Sequence, residues 1–317
     1  MTTIKQWQVI RYSEPKKEHW NQAVRHSKNG TFLLLRDYMD YHSDRFHDAS
    51  LLVYQNSKLM ALLPGNLSNH GYYSHQGLTY GGLIYSAAVT FGQVETLFHL
   101  LTNYIRTELK ATSLLYRAIP HIYHRYPAEE DLYALSRMGA SLVNRSLSSV
   151  VPTAERLPYR TLRRRQMARA RGEALEVVED ENFAAFWPVL TENLLSCHGV
   201  RPVHTLSEIT YLHRCFPRHI TLFRVCRQGE TVGGCVVYDT HQVAHVQYIA
   251  ASEAGKQYGA LDLLFDYLMN RRYPDKHYFD FGISTEHDGS LLNEGLLFQK
   301  EGFGGRAVMY DTYELKL

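Results

Sequence analysis

Hydrophobic positions along this chain follow two spacings. Over 15–46 they recur at helical intervals: Phe32, Leu35, Tyr38, Met39 and His42 fall near one face, and Pro15 suits a first helical turn. Short apolar runs at 49–54 and 58–64, split by Gln55, Asn56 and Ser57, predict a hairpin. A Gly- and Tyr-rich stretch follows. Then Phe91, Val94, Leu97, Phe98, Leu101, Tyr104 and Ile105 predict a helix over 91–110. A strand over 112–119, a helix over 128–138 and a strand over 141–151 complete the first half.

The second half repeats that order. A strand at 173–179 precedes helices at 182–198 and 207–216. Strands at 219–227 and 231–238 are joined by a turn at Gln228, Gly229 and Glu230. Another strand at 243–251 leads to a helix over 256–272 with Leu261, Leu264, Phe265 and Leu268 inward. A strand at 277–283, a helix at 291–300 and a closing strand at 307–315 follow. The repeat is one of pattern and predicts two similar lobes, 1–151 and 152–317, punctuated by Pro152 and Pro158. The expected class is α/β, layered as α+β, with mixed central sheets flanked by helices.

Composition narrows the function. Lys plus Arg is 34 and Asp plus Glu is 32, and this near-balance argues against a dedicated nucleic-acid binder. At 45% apolar and 21% charged residues, the chain can bury a core and is not disordered. The first twenty residues lack the apolar run of a secretory signal, and no stretch is long enough to span a bilayer. Cys197, Cys215, Cys226 and Cys235 form no CxxC pair, which suits reduced thiols and a cytoplasmic setting. Cys197 with His198, and His213 with Cys215, match no standard zinc spacing, so no metal is expected.

Several segments carry candidate chemistry. Between the strand at 243–251 and the next helix lie Gly255, Lys256, Gln257, Tyr258, Gly259 and Ala260. Glycines at a strand–helix turn free backbone amides for a pyrophosphate, although they also serve ordinary packing. On the strand, His245 and Gln247 face one side, and Val246 and Tyr248 the other. Histidine suits proton transfer, so His245 is a candidate base. After the strand at 277–283, Asp280, Ser284 and Glu286 lie where α/β sheets commonly line a crevice. Glu286 is a second candidate base, and Ser284 lacks the second glycine of a nucleophile elbow. Seven arginines between 156 and 171, with no intervening acid, suit a phosphate-rich partner or an anionic membrane surface. The stretch 59–94 contains no Asp, Glu, Lys or Arg; its tyrosines, histidines and glycines suit a sugar.

Four motifs together resemble a known family. The Gly-x-x-x-Gly-Ala turn at 255–260 resembles the acyl-CoA-binding segment of GNAT acetyltransferases. PheAspPheGlyIleSer at 279–284, GlyLeuLeuPheGlnLys at 295–300 and GluGlyPheGlyGly at 301–305 resemble the C-terminal signature of their FemAB-like branch, built from two GNAT-like lobes. Segments 31–48, 74–85 and 201–208 resemble bacterial FemAB-like acyltransferases tied to surface-polysaccharide assembly.

The resemblance implies acyl transfer from acetyl-CoA or another acyl-CoA to an amine or hydroxyl of a cell-envelope precursor. The donor would sit at 255–260, in the second lobe. The first lobe, with only Gly92 before its long helix, would lack a donor site. The acceptor, a small or lipid-linked saccharide or peptidoglycan-type molecule, would lie against His75, Tyr80, Gln247, Tyr248, Asp280, Ser284 and Asn293. Lys300 would stabilise negative charge in the transition state, with the neighbouring Phe displaced by one position to Phe298. FemX-type relatives use aminoacyl-tRNA and a peptidoglycan precursor, which keeps tRNA open as donor; the helical coiled-coil arm of some relatives is missing. A non-catalytic binding protein with degenerate lobes and an RNA-binding partner are the competing classes.

Overall fold

The computed structural model describes residues 6–317. The chain divides into two compact units. The first comprises residues up to Ser146, with His287–Ser290 and Met309–Leu317; the second comprises Leu147–Glu286 and Leu291–Val308.

The first unit opens with β1 (Trp7–Arg11), α1 (Lys17–His26), α2 (Arg36–Met39), β2 (Leu51–Gln55) and β3 (Lys58–Leu63). It continues through β4 (Asn66–Ser68), β5 (Gly71–Tyr73), β6 (Ile84–Tyr85), α3 (Phe91–Thr107), β7 (Ser113–Arg117), α4 (Glu130–Arg137) and the start of β8 (Ser141–Pro152). Strands β1-β2-β3-β6 form an antiparallel sheet. The helical stretch expected over 15–46 is broken into separate helices. Ser27 Oγ donates to Val24 O at 2.7 Å and accepts from Gly30 N–H at 2.7 Å, turning the chain. A Cβ on Gly30 would stand 2.6 Å from Val24 O, so the turn is closed to larger residues. Helix α3 begins at a capping box of Thr90 and Gln93 and buries Val94, Leu97, Phe98, Leu101 and Ile105, the positions its spacing predicts.

The second unit contains α5 (Thr161–Arg171), β9 (Leu175–Asp180), α6 (Phe183–His198), α7 (Leu206–Cys215), β10 (Ile220–Arg227), β11 (Glu230–Asp239) and β12 (Val243–Ala251). Then come α8 (Glu253–Tyr258), α9 (Ala260–Tyr267), β13 (Tyr278–Ile283), β14 (Thr285–Glu286), β15 (Leu291–Leu292), α10 (Glu294–Gly302) and the start of β16 (Arg306–Lys316). Its sheet runs β8-β13-β12-β11-β10-β9, antiparallel except for β12 beside β13.

Strand β8 begins in the first unit and ends in the second, whereas β16 does the reverse. Each unit therefore completes its sheet with the strand that closes the other half of the sequence: β13 takes 148–152, and β7 takes 312–316. The division expected between 151 and 152 falls inside β8.

The helix expected over 256–272 is also split. Gly259, at φ +76°, separates α8 from α9, and a Cβ there would stand 2.8 Å from Gln166 O of α5. The helix expected from 291 starts at Glu294, capped by the Asn293 side chain, because Leu291 and Leu292 pair with Thr285 and Glu286.

Candidate active site

The site grows from one sequence feature, the alternation Phe279-Asp280-Phe281 in β13. Successive strand residues face opposite ways. The two phenylalanines enter the aromatic core, where Phe281 stacks on Phe303 at 5.6 Å and meets Phe265 edge-on at 4.9 Å. Asp280 faces the other way and is still 0% exposed, so its carboxylate needs partners. Ser148 Oγ and Gly282 N–H both donate to Oδ1, the latter at 2.9 Å. Oδ2 lies 2.8 Å from His245 Nδ1.

Strand register makes this meeting unavoidable. β12 and β13 pair in parallel at only three positions, ending with His245 opposite Asp280. Past that pair the strands part. Gly282, at φ +76°, bends β13 toward β8, where Ile283 sits opposite Ser148. A Cβ on Gly282 would lie 3.5 Å from His245 Cε1, so the bend passes directly beside the imidazole.

A carboxylate only accepts hydrogen bonds, so it fixes the proton on His245 Nδ1 and leaves Nε2 as the acceptor. The His245 side chain is 12% exposed.

Lys300 completes the cluster. It is 5% exposed, and Nζ donates to the carbonyls of Gly282 at 2.8 Å and Ile283 at 2.7 Å. Burial pushes its pKa down to about 8, opposed by the nearby Asp280 charge. It thus pins the bend that holds β13 away from β12. The Gly-rich tail of the signature makes room for it: a Cβ on Gly305 would sit 3.0 Å from Lys300 O.

The other expected site residues are placed as follows. Glu286 lies in β14, and its Oε1 accepts from Asn293 Nδ2 at 2.9 Å. Ser284 is 1% exposed, and its backbone joins Leu147 O and Asn293 N–H. Gln247 is half-buried on β12, next to a bulge. Tyr248 is buried, its hydroxyl engaged with the backbone N–H and Nδ1 of His204. In the first unit, His75 and Tyr80 are buried rather than presented on a cleft. His75 rests against His42 and Phe46, while the Tyr80 hydroxyl meets Thr31 Oγ1 at 3.0 Å.

The segment 255–260 is not an open turn. Gly255 N–H donates to Ser252 Oγ at 3.1 Å, and a Cβ on Gly255 would stand 2.0 Å from Val232 O. Lys256 pairs with Glu253 at 2.7 Å, Gln257 is exposed, and Tyr258 lies under the Arg227 guanidinium at 4.3 Å. Gly259 and Ala260 are buried against α5 and the core. These glycines answer to packing, because helix α8 fills the space assigned to a loop.

Sequence reasoning missed Ser148. It comes from the strand that closes the first half of the chain, 132 residues from Asp280, and nothing in a Ser-Ser pair within a strand announces it. Among the described residues, no group of three or more His, Cys, Asp or Glu side chains is placed to hold a metal, and the four cysteines are free. No helix among them is long and apolar enough to cross a membrane.

Residues 159–288 match the family described as the acetyltransferase (GNAT) domain. No curated protein matches the sequence. Among solved structures the chain is similar to FemX, with a TM-score of 0.69 and 11% identity, covering 98% of this chain and 97% of that one. It is similar to L-PGS from Bacillus licheniformis, with a TM-score of 0.60, 12% identity and coverage of 95% and 91%. A tandem GNAT protein from the clavulanic acid biosynthesis pathway follows at 0.53, with 11% identity and 98% of each chain covered. At such identities the likeness shows the fold. Residues 159–288 thus carry a GNAT-type acetyltransferase domain, and the chain as a whole has the FemAB-like tandem GNAT fold.

Proposed function

We propose that this protein transfers an acyl group from an acyl-CoA, acetyl-CoA foremost, to an amine or hydroxyl of a cell-envelope saccharide precursor, with His245 as general base. The observation that carries the reading is the Ser148–Asp280–His245 chain of hydrogen bonds at the point where β12 and β13 part. It fixes the tautomer a base requires and leaves Nε2 as the acceptor.

In the proposed step the acceptor nitrogen or oxygen attacks the thioester carbonyl. His245 Nε2 takes the acceptor's proton, the new C–N or C–O bond forms, and the C–S bond breaks. The proton then passes to the departing thiolate. Backbone amides of β12 beyond His245, which have left the β13 ladder, face the developing oxyanion. Lys300 holds the bend and adds positive charge beside it. Glu286, held by Asn293, orients the acceptor and is the second choice as base. From His245 to Ala251 the strand spans about 20 Å, a length suited to an extended thioester-bearing arm. A lipid-linked, peptidoglycan-type or polysaccharide acceptor places the work at the cytoplasmic face of a bacterial membrane, in keeping with the free cysteines.

The test is thiol release from acetyl-CoA in the presence of glucosamine as a model acceptor. Acceptor-dependent release, reduced at least 100-fold in His245→Ala, supports the reading; release indifferent to His245 removes the base. The second reading is an aminoacyl-tRNA donor. In its favour, the amides and glycines of 255–260 are taken up by packing, and Glu253 puts an acid in the first turn of α8. Transfer from charged tRNA but not from acetyl-CoA would select it.

A further inference from the structure

The arginine run is divided by the fold into two sets. Arg163 pairs with Asp262 at 2.9 Å, Arg171 with Asp266 at 3.3 Å, and Arg160 with Glu301 at 2.9 Å. Arg156 donates to Met269 O and Asn270 Oδ1. These four tie α5 and its approach to α9, to the 268–272 segment that follows it and to α10. Arg164, Arg165 and Arg169 are exposed, and among the described residues no carboxylate pairs with any of them. The Arg164 guanidinium reaches only Thr161 Oγ1, at 3.2 Å.

The unneutralised set is ordered in space. Leu162, Arg165 and Arg169 lie at i, i+3 and i+7 and share one face of α5. Arg164 is also exposed but stands about 100° around the helix from Arg165, on the side away from Leu162. Three large apolar side chains stand exposed at or beside the start of the helix: Leu162 at 44%, Leu157 at 42% and Phe298 at 53%. The approach to α5 meets α10 and its C-terminal end: the Arg160 guanidinium sits 4.9 Å over the Phe298 ring, and Leu157 O approaches Gly304.

We propose that this face of α5 docks the protein on an anionic lipid bilayer. Three uncompensated arginines match the headgroup phosphates, and leucine and phenylalanine side chains fit the boundary where headgroup meets acyl chain. Guanidinium stems reach upward while the apolar side chains stay down. An RNA surface would show bases' stacking partners along the basic track; here the apolar set is mostly aliphatic and sits at one end of the helix. The proposal deepens the reading of a lipid-linked acceptor and rests on it for its purpose.

The experiment is flotation of the full-length protein with vesicles of phosphatidylcholine alone and of an equal mixture with phosphatidylglycerol. Binding to the anionic vesicles, weakened by salt, is expected. Each arginine near such a surface contributes about a fivefold factor, so Arg164→Ala, Arg165→Ala and Arg169→Ala together should weaken binding about 100-fold. Leu162→Asp, with all arginines intact, should also weaken it. Because the three arginines hold no carboxylate, the triple variant should unfold at the wild-type temperature; if it does not, Leu162→Asp and the salt titration carry the test. Equal binding to both vesicle types, unaltered binding by the triple variant, or capture of bulk tRNA without vesicle binding each overturns the proposal. Thiol release without vesicles should be the same in wild type and triple variant, so failure of the chemistry and failure of the surface are read separately.

Discussion

Replacing Asp280 with Asn tests the proposed base without emptying the site. The amide has nearly the carboxylate's shape, and its oxygen can keep the hydrogen bonds from Ser148 Oγ and Gly282 N–H. Its nitrogen must then face His245 Nδ1, now 2.8 Å from Oδ2. Two donors cannot face each other, so the ring moves its proton to Nε2 and stops being a base at the open position. A hydrogen bond to a charged group contributes about 1.5–3 kcal/mol, and inverting the tautomer forfeits about that much. At about 1.4 kcal/mol per decade, this alone slows turnover about 10–150-fold. Losing the negative charge that supports imidazolium in the transition state brings the expected fall to about 10²–10⁴-fold. Steady-state thiol release should show kcat reduced and KM little changed. The double variant with His245→Ala should be no slower than His245→Ala alone, since the pair acts as one unit. An Asp280→Asn enzyme that keeps wild-type kcat while His245→Ala loses it would refute the argument.

Three further outcomes follow from burial. For Lys300, pushed down to about 8 inside the fold, stability from remaining neutral is present above the unfolded value and is lost as pH falls to 8. Urea denaturation should therefore show wild type gaining on Lys300→Met between pH 8 and 10.5, by about 1.4 kcal/mol per pH unit; a flat difference contradicts the placement. His75, pushed down to about 3 by burial with help from His42, stays neutral in the fold and takes a proton once unfolded. As pH falls from 6.5 toward 3, wild type should lose about 1.4 kcal/mol per unit relative to His75→Asn, whose side chain tolerates the positive φ there. Gly255→Ala drives a Cβ to 2.0 Å from Val232 O and should cost about 3 kcal/mol, lowering Tm by about 6–12 °C in calorimetry.

The order of elements was legible because each amphipathic stripe or alternation is local. Helix α3 and hairpins β2–β3 and β10–β11 sit where periodicity placed them. Two classes of feature were not legible. One is the break enforced by a distant neighbour: the helix over 256–272 is interrupted at Gly259 because α5 lies against it, and nothing within those seventeen residues reports α5. The other is strand exchange. The pattern of β8 reads as the close of the first lobe, yet 148–152 complete the sheet of the second, a pairing between residues more than 120 positions apart.

The same two causes explain what could be read of the site. The Phe-Asp-Phe-Gly stretch and Lys300 stand out in sequence because several demands coincide there. The phenylalanines anchor the strand to α9 and α10, the aspartate is turned to the opposite face, and the glycine bends away from His245. What sequence could not say is which carboxylate serves His245. Glu286 had the reach of a loop residue and Asp280 looked like a strand residue lining a crevice. Register decides between them: parallel pairing places His245 opposite Asp280 at the last rung before the strands separate. A one-residue slip would turn Asp280 into the aromatic core and a phenylalanine toward the imidazole, burying an unpaired charge against Phe265 and Phe303. The core that holds β13 in register is therefore also what assembles the dyad. Mutations in those phenylalanines should disturb activity before they disturb the rest of the fold.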